Sequence, residues 1–261
     1  MTTVENLELK YSKADSLRFG LNIHRVPLMN EIDTAKLLRH ILDHDVDTAM
    51  IRIPSTKLKD LHLLDRTGMP YMIADTLAYY HLDLMNREVP AITNQDLTFE
   101  RAGILDHETL NKLVRESYGD YVNHYRVSYL FDNESVTEGY QDWVRTYAED
   151  SEDRICWIVK KGGEVAGFGT FNFEREGKVK GILYAVRPKF RGNGILKDIL
   201  RFAQKYAKEK RGCEFMRTTI QIENTSVQKI WREEGFALHH TINTVHINAL
   251  LTKSIFEPFS Y

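Results

Sequence analysis

One short stretch, residues 186–200, constrains the fold of this chain more than any other part of it. It reads VRPKFRGNGILKDIL: a hydrophobic strand runs into Pro188, glycines follow at positions 192 and 194, and a run with helical periodicity begins at Ile195. Glycines at such a junction let a ligand approach the backbone closely, and the N-terminus of a helix attracts anions. The stretch therefore predicts a strand, a binding loop and a helix in immediate succession.

The charge around this junction differs from that of the whole chain. The chain has 35 Lys and Arg against 37 Asp and Glu, a net charge of −2, so no global field attracts nucleic acid or a membrane. Residues 178–197 nevertheless contain several basic side chains and no acid; these are Lys178, Lys180, Arg187, Lys189, Arg191 and Lys197. A basic run is usually a solvated face. Its coincidence with a glycine-rich loop favours a site for a polyanionic small molecule.

The composition is that of a soluble globular protein, with 261 residues of which 43% are hydrophobic and 28% charged. The N-terminal MTTVENLELKYSKADS has no apolar segment of the kind found in signal peptides. No apolar run approaches the roughly 18 to 20 residues that a membrane-spanning helix needs. The two cysteines, Cys156 and Cys213, fit a reducing compartment. We therefore expect a cytoplasmic protein that does not insert into membranes.

The periodicity of the first ninety or so residues alternates between short strands and helices. The predicted strands are residues 17–28, 48–53 and 71–84, and the predicted helices are residues 31–45 and 57–67. Residues 86–96 are polar, contain a proline and have no clear period. We place a domain boundary there, which gives a smaller domain over residues 1–92 and a larger one over residues 93–261.

The larger domain has the predicted element order β-α-α-β-β-β-α-β-α-β-β. Its predicted strands are residues 97–104, 154–161, 164–173, 179–186 and 214–222, with further strand structure over 237–250. Its predicted helices are residues 106–120, 131–153, 194–212 and 224–236. Gly162-Gly163 predicts a hairpin between two of the strands. The C-terminal IFEPFSY is aromatic, and it is expected either to pack on the body of the protein or to meet a partner.

The junction resembles motif A of the GCN5-related N-acetyltransferase (GNAT) superfamily. That motif is a strand ending in V-x-P, followed by R/Q-x-x-G-x-G/A and a helix. Val186, Pro188 and the run Arg191-Gly192-Asn193-Gly194-Ile195 match it, whereas Leu196 replaces the usual small residue.

A second GNAT motif, N-x-x-A-x-x-x-Y followed by G-F, has its counterpart after the next predicted strand. Asn224 and Gly235-Phe236 match it, but Val227 stands for the alanine and Trp231 for the tyrosine. The two motifs occur in the expected order and context, and the resemblance covers roughly residues 96–250.

The resemblance implies a fold and a co-substrate. The fold is α/β (α+β), with a mixed, mostly antiparallel twisted sheet flanked by helices, and the co-substrate is acyl-CoA, without a metal. The loop glycines would turn backbone N–H groups towards the pyrophosphate of coenzyme A, assisted by the helix dipole. A backbone N–H of Ala185 or Val186 would serve the thioester carbonyl. The implied coenzyme A residues are Ala185, Val186, Arg191, Gly192, Asn193, Gly194, Ile195, Leu196, Asn224 and Trp231.

The proton-transfer residues are harder to assign because the tyrosine that usually serves as the general acid is replaced. The indole of Trp231 cannot donate a proton to a thiolate at neutral pH. The coenzyme A thiolate could leave without a proton donor, because the pKa of a thiol is about 8.5. Otherwise the candidate catalytic residues are Tyr184, Glu223 and His239 or its neighbour His240. Each has a structural alternative: the tyrosine could simply pack, and the glutamate could cap the following helix. Because neighbouring strand residues point to opposite faces, only one of the two histidines should face inward.

The segment before residue 92 carries a second resemblance. SLRFGLNIHRV, around Phe19-Gly20, and GMPYMIADTLAYYHLDL look like the N-terminal half of sugar-nucleotide N-acyltransferases of the same superfamily. In that group a truncated, degenerate GNAT-like domain precedes the working one. The enzymes acylate the amino group of a dTDP-linked amino-dideoxy sugar during surface polysaccharide biosynthesis. This resemblance implies a nucleotide-linked amino sugar as acceptor, and acetyl or a larger group such as 3-hydroxybutyryl as the acyl group.

Other functions stay open at this point. The acceptor could instead be a protein N-terminus, a polyamine or an antibiotic amine, and the acidic stretch Glu149–Asp153 would suit a cationic acceptor if it lay in the cleft. A non-catalytic CoA-binding or scaffolding domain would explain Trp231 and Leu196. The oligomeric state is not fixed by the sequence, and a homodimer is one possibility. His40 and His44 have the i, i+4 spacing of a metal-binding pair, but a solvated helix end is the more common meaning, and no metal is expected.

Overall fold

The computed structural model describes the backbone of residues 8–256 and the side chains of residues 8–253. Residues 1–7 and the side chains of the C-terminal IFEPFSY segment lie outside the described residues, so the expected packing of that segment is not addressed. Among residues 8–256, no helix is both long and apolar enough to cross a membrane.

Ten strands and seven α-helices are present within residues 8–256. The strands are β1 (Lys10–Tyr11), β2 (Ile23–Val26), β3 (Thr48–Pro54), β4 (Tyr71–Asp83), β5 (Leu97–Arg101), β6 (Arg154–Lys161), β7 (Glu164–Glu174), β8 (Lys178–Val186), β9 (Phe215–Gln221) and β10 (Ala237–Ile247). The helices are α1 (Lys13–Phe19), α2 (Thr34–Asp43), α3 (His107–Tyr118), α4 (Asn133–Arg145), α5 (Ile195–Arg211), α6 (Thr225–Glu233) and α7 (Ala249–Phe256). Short 3-10 helices cover Ser55–Thr67, Ile104–Asp106 and Pro188–Phe190.

The chain divides into two compact units that interleave in sequence. The first comprises Met1–Leu77, Asn123–Asp132 and His240–Tyr261, and the second comprises Ala78–Val122 and Asn133–His239. Two of the divisions fall inside the long strands β4 and β10, and the other two lie between α3 and α4. Residues 86–96, where the sequence predicts a boundary, belong to the second unit, and the division into domains 1–92 and 93–261 stays a prediction.

In the first unit, the sheet has the order β1-β2-β3-β10-β4. Strands β2 and β3 are parallel, whereas β10 runs antiparallel to β3. Helix α2 begins after Asp33, whose side chain accepts a hydrogen bond from the N–H of Lys36, and it buries Leu37 and Ile41 in the core of this unit. The helix predicted over residues 31–45 is thus present.

Two expectations in and near this unit are wrong. Residues 17–28 do not form one strand, because α1 continues to Phe19 and Gly20, with φ +66°, ends it in the left-handed conformation. Residues 237–250 form one strand followed by helix α7, where further strands were expected. In both places a short apolar run has no period long enough to separate helix from strand.

In the second unit, the sheet has the order β4-β9-β8-β7-β6-β5. Strands β5 to β8 are antiparallel to one another, and β8 and β9 are parallel. Successive residues of β6 belong to different hydrophobic clusters: Trp157 packs in the cluster that includes α5, and Ile158 in the one that includes α3 and α4. Since alternate strand residues point to opposite faces, helices cover both faces. The predicted mixed, mostly antiparallel sheet flanked by helices is confirmed.

The pairing of β8 with β9 covers a short part of either strand. It joins Lys178 with Phe215, Val179 with Met216 and Lys180 with Arg217, at the first ends of the two strands. Strand β8 continues to Val186 and β9 to Gln221. Beyond the paired residues the two strands therefore separate, and a gap opens towards the carboxyl end of β8.

Candidate functional site

The peptide groups of β8 that face this gap can be identified from their neighbours. The N–H of Arg187 donates to the carbonyl oxygen of Ala166 at 2.9 Å, on the side of β7. Peptide groups alternate in direction along a strand, so those of Tyr184 and Val186 point away from β7 and into the gap. The carbonyl of Val186 accordingly accepts a hydrogen bond from Nε of Arg191 at 3.1 Å.

Ala185 and Val186, the two residues predicted to serve the thioester, differ in this respect. A Cβ atom added to Gly167 of β7 would lie 2.2 Å from the carbonyl oxygen of Ala185. The peptide groups of Ala185 therefore face β7. Val186 presents its N–H to the gap, and Tyr184 does the same two residues earlier.

A side chain that sequence reasoning missed occupies the gap. The hydroxyl of Tyr118, at the end of α3, donates to the carbonyl oxygen of Tyr184 at 2.7 Å and lies 3.2 Å from its nitrogen, from which it accepts. Burial raises the pKa of Tyr118 well above its usual range, and the nearby Tyr140 adds to the effect. Tyr118 therefore stays protonated and remains a hydrogen-bond donor.

Two further tyrosines accompany Tyr118. The ring of Tyr140 stacks on that of Tyr118 with centroids 4.8 Å apart, and Tyr121 approaches it edge-on at 5.4 Å. The hydroxyl of Tyr121 donates to the side-chain oxygen of Gln221, at the end of β9. Tyrosines from α3, α4 and the segment after α3 thus surround the open end of the gap. The tyrosine-rich run YGDYVNHY (residues 118–125), at the end of a predicted helix, is the sequence signal that could have pointed to Tyr118 and Tyr121.

The loop of residues 191–194, here called the phosphate loop, has the backbone conformation that the two glycines predict. Gly192 and Gly194 have φ values of +81° and +75°, a region that residues with a Cβ rarely adopt. Gly194 is the N-cap of α5 and leaves the first N–H groups of that helix without a side-chain cap. Ile195 is buried in the core and anchors the helix, and Leu196 is half-buried. The exposed loop therefore offers backbone donors to an anion.

Four of the six basic side chains in the run around the loop are engaged in ion pairs, which reduces the positive charge that the run offers to an anion. Lys178 pairs with Glu176 at 2.7 Å, Arg187 with Glu116 at 2.8 Å, Lys189 with Glu164, and Lys197 with Glu233 at 2.7 Å. The partners come from outside residues 178–197, which is why the run itself shows no acid. Arg191 makes no ion pair within the part of the chain that the structure describes, and it lies in the phosphate loop.

The second motif lies at the start of α6. The side chain of Asn224 caps this helix by accepting from the N–H of Val227 at 3.2 Å. Trp231 is only 1% exposed and packs edge-on against Tyr80, with centroids 5.3 Å apart, and next to Phe236. Its indole N–H has no hydrogen-bond partner. In this structure Trp231 is a core residue, and its contribution to a coenzyme A site stays a prediction.

The three predicted catalytic residues lie on different elements and do not form one cluster. The hydroxyl of Tyr184 packs against Gly181 of its own strand, and burial raises its pKa. Glu223 is exposed and does not cap α6, because Asn224 does. His239 is exposed and stacks on His81, with ring centroids 4.1 Å apart. His240 is exposed as well, so the expected inward and outward alternation of the two histidines is wrong.

The acidic stretch Glu149–Asp153 lies at the opposite end of the sheet from the gap. Glu149 pairs with Arg154 at 3.9 Å and Asp153 with Arg211 at 3.4 Å. Arg154 pairs with Asn172 of β7, which pairs with Lys180 of β8, where β8 and β9 are still paired. The gap lies near Val186, six residues further along β8, or about 20 Å away. The acidic stretch is therefore remote from the gap.

In the first unit, His40 and His44 stack with ring centroids 4.2 Å apart, and His24 of β2 joins them, with Nδ1 2.8 Å from Nε2 of His40. Burial lowers the pKa of both His24 and His40, and a neighbouring histidine lowers each further. The helix end is therefore not simply solvated. Within residues 8–253 no group of three or more His, Cys, Asp or Glu side chains has the geometry to hold a metal ion.

Comparison with known proteins agrees with the geometry of the second unit. Residues 111–236, which include the gap, the phosphate loop and α6, match the model of the acetyltransferase (GNAT) family. Residues 111–236 are therefore similar to the GNAT acetyltransferases over the part of the chain that contains the candidate site. The match covers a little under half of the chain, so the activity of the whole protein stays a proposal.

Solved structures of low sequence identity share the fold. A functionally unknown conserved protein from Staphylococcus epidermidis has a TM-score of 0.61 at 11% identity, with 95% of this chain and 93% of that chain covered. A tandem GNAT protein from the clavulanic acid biosynthesis pathway has a TM-score of 0.59 at 14% identity, with 88% and 76% covered. A GCN5-related N-acetyltransferase from Sphaerobacter thermophilus has a TM-score of 0.53 at 16% identity, with 76% covered here and 59% of its own length.

These similarities confirm the predicted GNAT fold. The match to a tandem GNAT protein extends beyond residues 111–236. The GNAT-like segment expected before the main domain stays a prediction. No curated protein sequence matches the chain.

Proposed function

We propose that this protein is an N-acyltransferase of GNAT type that transfers the acyl group of acyl-CoA to the amino group of a nucleotide-linked amino sugar, with a dTDP-linked amino-dideoxy sugar as the leading candidate. The observation that carries the acyl-CoA part is the gap between β8 and β9, which opens directly towards the phosphate loop. The acceptor part rests on the resemblance of the first ninety or so residues to sugar-nucleotide N-acyltransferases.

The diphosphate of coenzyme A would bind the phosphate loop through the N–H groups that Gly192 and Gly194 turn outward, next to the guanidinium of Arg191, whose Nε donates to the carbonyl of Val186. The thioester arm would lie along the gap-facing edge of β8. There the N–H of Val186 is placed to donate to the thioester oxygen as negative charge develops on it, whereas the N–H of Tyr184 already donates to Tyr118.

In the reaction, the nitrogen of a neutral amine attacks the thioester carbon, the C–S bond breaks, and coenzyme A leaves as a thiolate that takes up a proton. The amine nitrogen loses a proton to a base or to water. Tyr118 is our candidate donor to the thiolate, because its protonated hydroxyl already lies against the Tyr184 peptide. Glu223 and His239, both exposed, stay candidates for the base.

Two features support a sugar nucleotide over a polycation. The acidic stretch Glu149–Asp153 is engaged in ion pairs at the far end of the sheet, so it gives no argument for a cationic acceptor at the gap. The half-buried rings of Tyr121 and Tyr140, which pack on Tyr118, are suited to contact the apolar face of a sugar or a base.

The test measures release of free thiol from acetyl-CoA and from 3-hydroxybutyryl-CoA, with dTDP-amino sugars as acceptors and polyamines, peptides and amino-antibiotics in parallel. Thiol release that depends on a dTDP-amino sugar is the expected result, and the faster donor identifies the acyl group. Release with polyamines, peptides or antibiotics alone would overturn the sugar proposal and leave the acetyltransferase activity in place. Binding of CoA without turnover on any acceptor would argue against catalysis by this gap.

A further inference from the structure

A buried carboxylate in the first turn of α5 is held by a segment far away in sequence. Asp198 has 0% of its surface exposed. Its carboxylate accepts hydrogen bonds from the N–H of Thr93 at 2.8 Å, the N–H of Asn94 at 3.0 Å and Nδ2 of Asn94 at 2.7 Å. A buried charge without partners would be costly, so these donors account for its burial.

The side chain of Asn94 also contacts the phosphate loop itself. Its Nδ2 donates to the carbonyl oxygen of Asn193 at 2.9 Å, and its Oδ1 accepts from Nζ of Lys161 at 3.0 Å. Both N–H groups of this amide are therefore engaged, one with the loop and one with Asp198. Asn94 joins the phosphate loop, the helix behind it and strand β6.

The segment of residues 91–94, called the strap below, is fastened a second time by Arg201. The guanidinium of Arg201 donates to the carbonyl of Ala91 at 3.0 Å and to the hydroxyl of Thr93 at 2.8 Å. It is held in place by two hydrogen bonds to Glu234, at 2.9 and 2.7 Å, whose carboxylate is buried. The strap is thus a fixed element of the second unit.

The contact between Asn94 and the loop determines which way a peptide group points. In a trans peptide the carbonyl oxygen and the N–H of the next residue point in opposite directions. Holding the carbonyl of Asn193 against the strap therefore turns the N–H of Gly194 away from it, to the exposed side of the loop. Without this contact, a residue between two glycines would be free to rotate its peptide.

We propose that the strap positions the phosphate loop for diphosphate binding, and that Asn94 is the positioning residue that sets the orientation of the Asn193–Gly194 peptide. The inference rests on the proposed coenzyme A site. It assigns a role in co-substrate recognition to a polar segment that carries no motif.

The test compares Asn94→Ala with Gln95→Ala, a matched control in the next residue, whose side chain donates to the carbonyl of Ile92 in its own segment at 2.7 Å. Calorimetric titration with CoA should give a Kd about tenfold weaker for Asn94→Ala, as expected from the loss of one or two hydrogen bonds that preorganise the loop. With the acceptor from the thiol-release panel, the KM for acetyl-CoA should rise by a similar factor while kcat stays within about twofold. Gln95→Ala should keep the Kd of the unsubstituted protein.

Amide hydrogen exchange without ligand gives an independent readout. Residues 191–196 should exchange faster in Asn94→Ala than in Gln95→Ala, while the rest of α5 exchanges at the same rate in both. An unchanged Kd for CoA in Asn94→Ala, or faster exchange spread over the whole unit, would overturn the positioning role. If the unsubstituted protein itself binds no CoA, the proposed coenzyme A site fails, and the role of the strap fails with it.

Discussion

The hydroxyl of Tyr118 makes two hydrogen bonds to the backbone of one residue of β8: it donates to the carbonyl of Tyr184 at 2.7 Å and accepts from the N–H of the same residue at 3.2 Å. Backbone groups in a strand normally pair with the next strand, and β9 has separated from β8 at this point. The hydroxyl of Tyr118 therefore supplies the hydrogen bonds that a neighbouring strand would otherwise make to Tyr184. The gap stays open to a ligand because its peptide groups do not depend on β9.

Replacing Tyr118 by Phe should weaken both stability and catalysis. The variant leaves the peptide groups of Tyr184 without their partner, so the free energy of unfolding should fall by about 1 to 3 kcal/mol. It also removes the proposed donor to the thiolate, so kcat should fall by about tenfold or more. Urea unfolding and thiol release measure the two effects. Tyr206→Phe, which removes a hydroxyl from a half-buried tyrosine of α5, is the control and should leave kcat unchanged.

Gly192→Ala, in the phosphate loop, and Gly212→Ala, at the C-terminal end of α5, form a matched pair of variants. Both glycines have positive φ, +81° and +62°, and an added Cβ meets no atom within 4 Å at either. Each variant should therefore lose a similar free energy of unfolding, about 1 kcal/mol, from backbone strain. Because only Gly192 lies where the diphosphate would approach, its variant alone should raise the KM for acetyl-CoA, by about tenfold or more. Equal KM values for the two variants would contradict the placement of the diphosphate.

The phosphate loop could be predicted from sequence because its signals are local. The strand end, the two glycines and the start of α5 lie within a few consecutive residues, and Gly212 ends the same helix as expected. Such features depend on the backbone preferences of neighbouring residues and little on the rest of the fold.

The remainder of the site depends on contacts between distant residues, which periodicity does not encode. Residues 86–96 look like a linker because they are polar, yet Asn94 is bound to Asp198, 104 residues away. The position of Tyr118 has meaning only because β8 and β9 separate opposite it. The basic run appeared unpaired for the same reason, since its acidic partners come from other elements.

Restoring the family's tyrosine at position 231 should destabilise the protein. The indole N–H of Trp231 has no acceptor among its buried neighbours, so a phenol in its place would bury a hydroxyl without a partner as well as lose volume. Trp231→Phe loses similar volume without burying a hydroxyl. The expected order of unfolding free energy is Trp231, then Phe, then Tyr, with about 1 to 3 kcal/mol between the last two. A Tyr variant as stable as the Phe variant would mean that a partner for the hydroxyl exists.

A buried pair of histidines in the first unit predicts how stability changes with pH. Nδ1 of His124 lies 3.0 Å from Nε2 of His246, and both rings are buried. Burial, reinforced by the positive charge of Arg25 and opposed by Asp15, lowers the pKa of His246 to about 4. Burial, His246 and the guanidinium groups of Arg25 and Arg52 also lower the pKa of His124.

Because the folded protein resists protonation of His246, the unfolded chain binds more protons between pH 6.5, the ordinary histidine pKa, and about pH 4. The contribution of His246 to stability is therefore complete above pH 6.5 and is lost as the pH falls through that window, by up to about 3 kcal/mol. Urea unfolding at about pH 7, 6 and 5 measures this loss of stability. His246→Gln, which does not titrate, should be less stable at pH 7 but should lose less stability on acidification than the unsubstituted protein. Parallel losses in the two proteins would show that His246 does not titrate in this range.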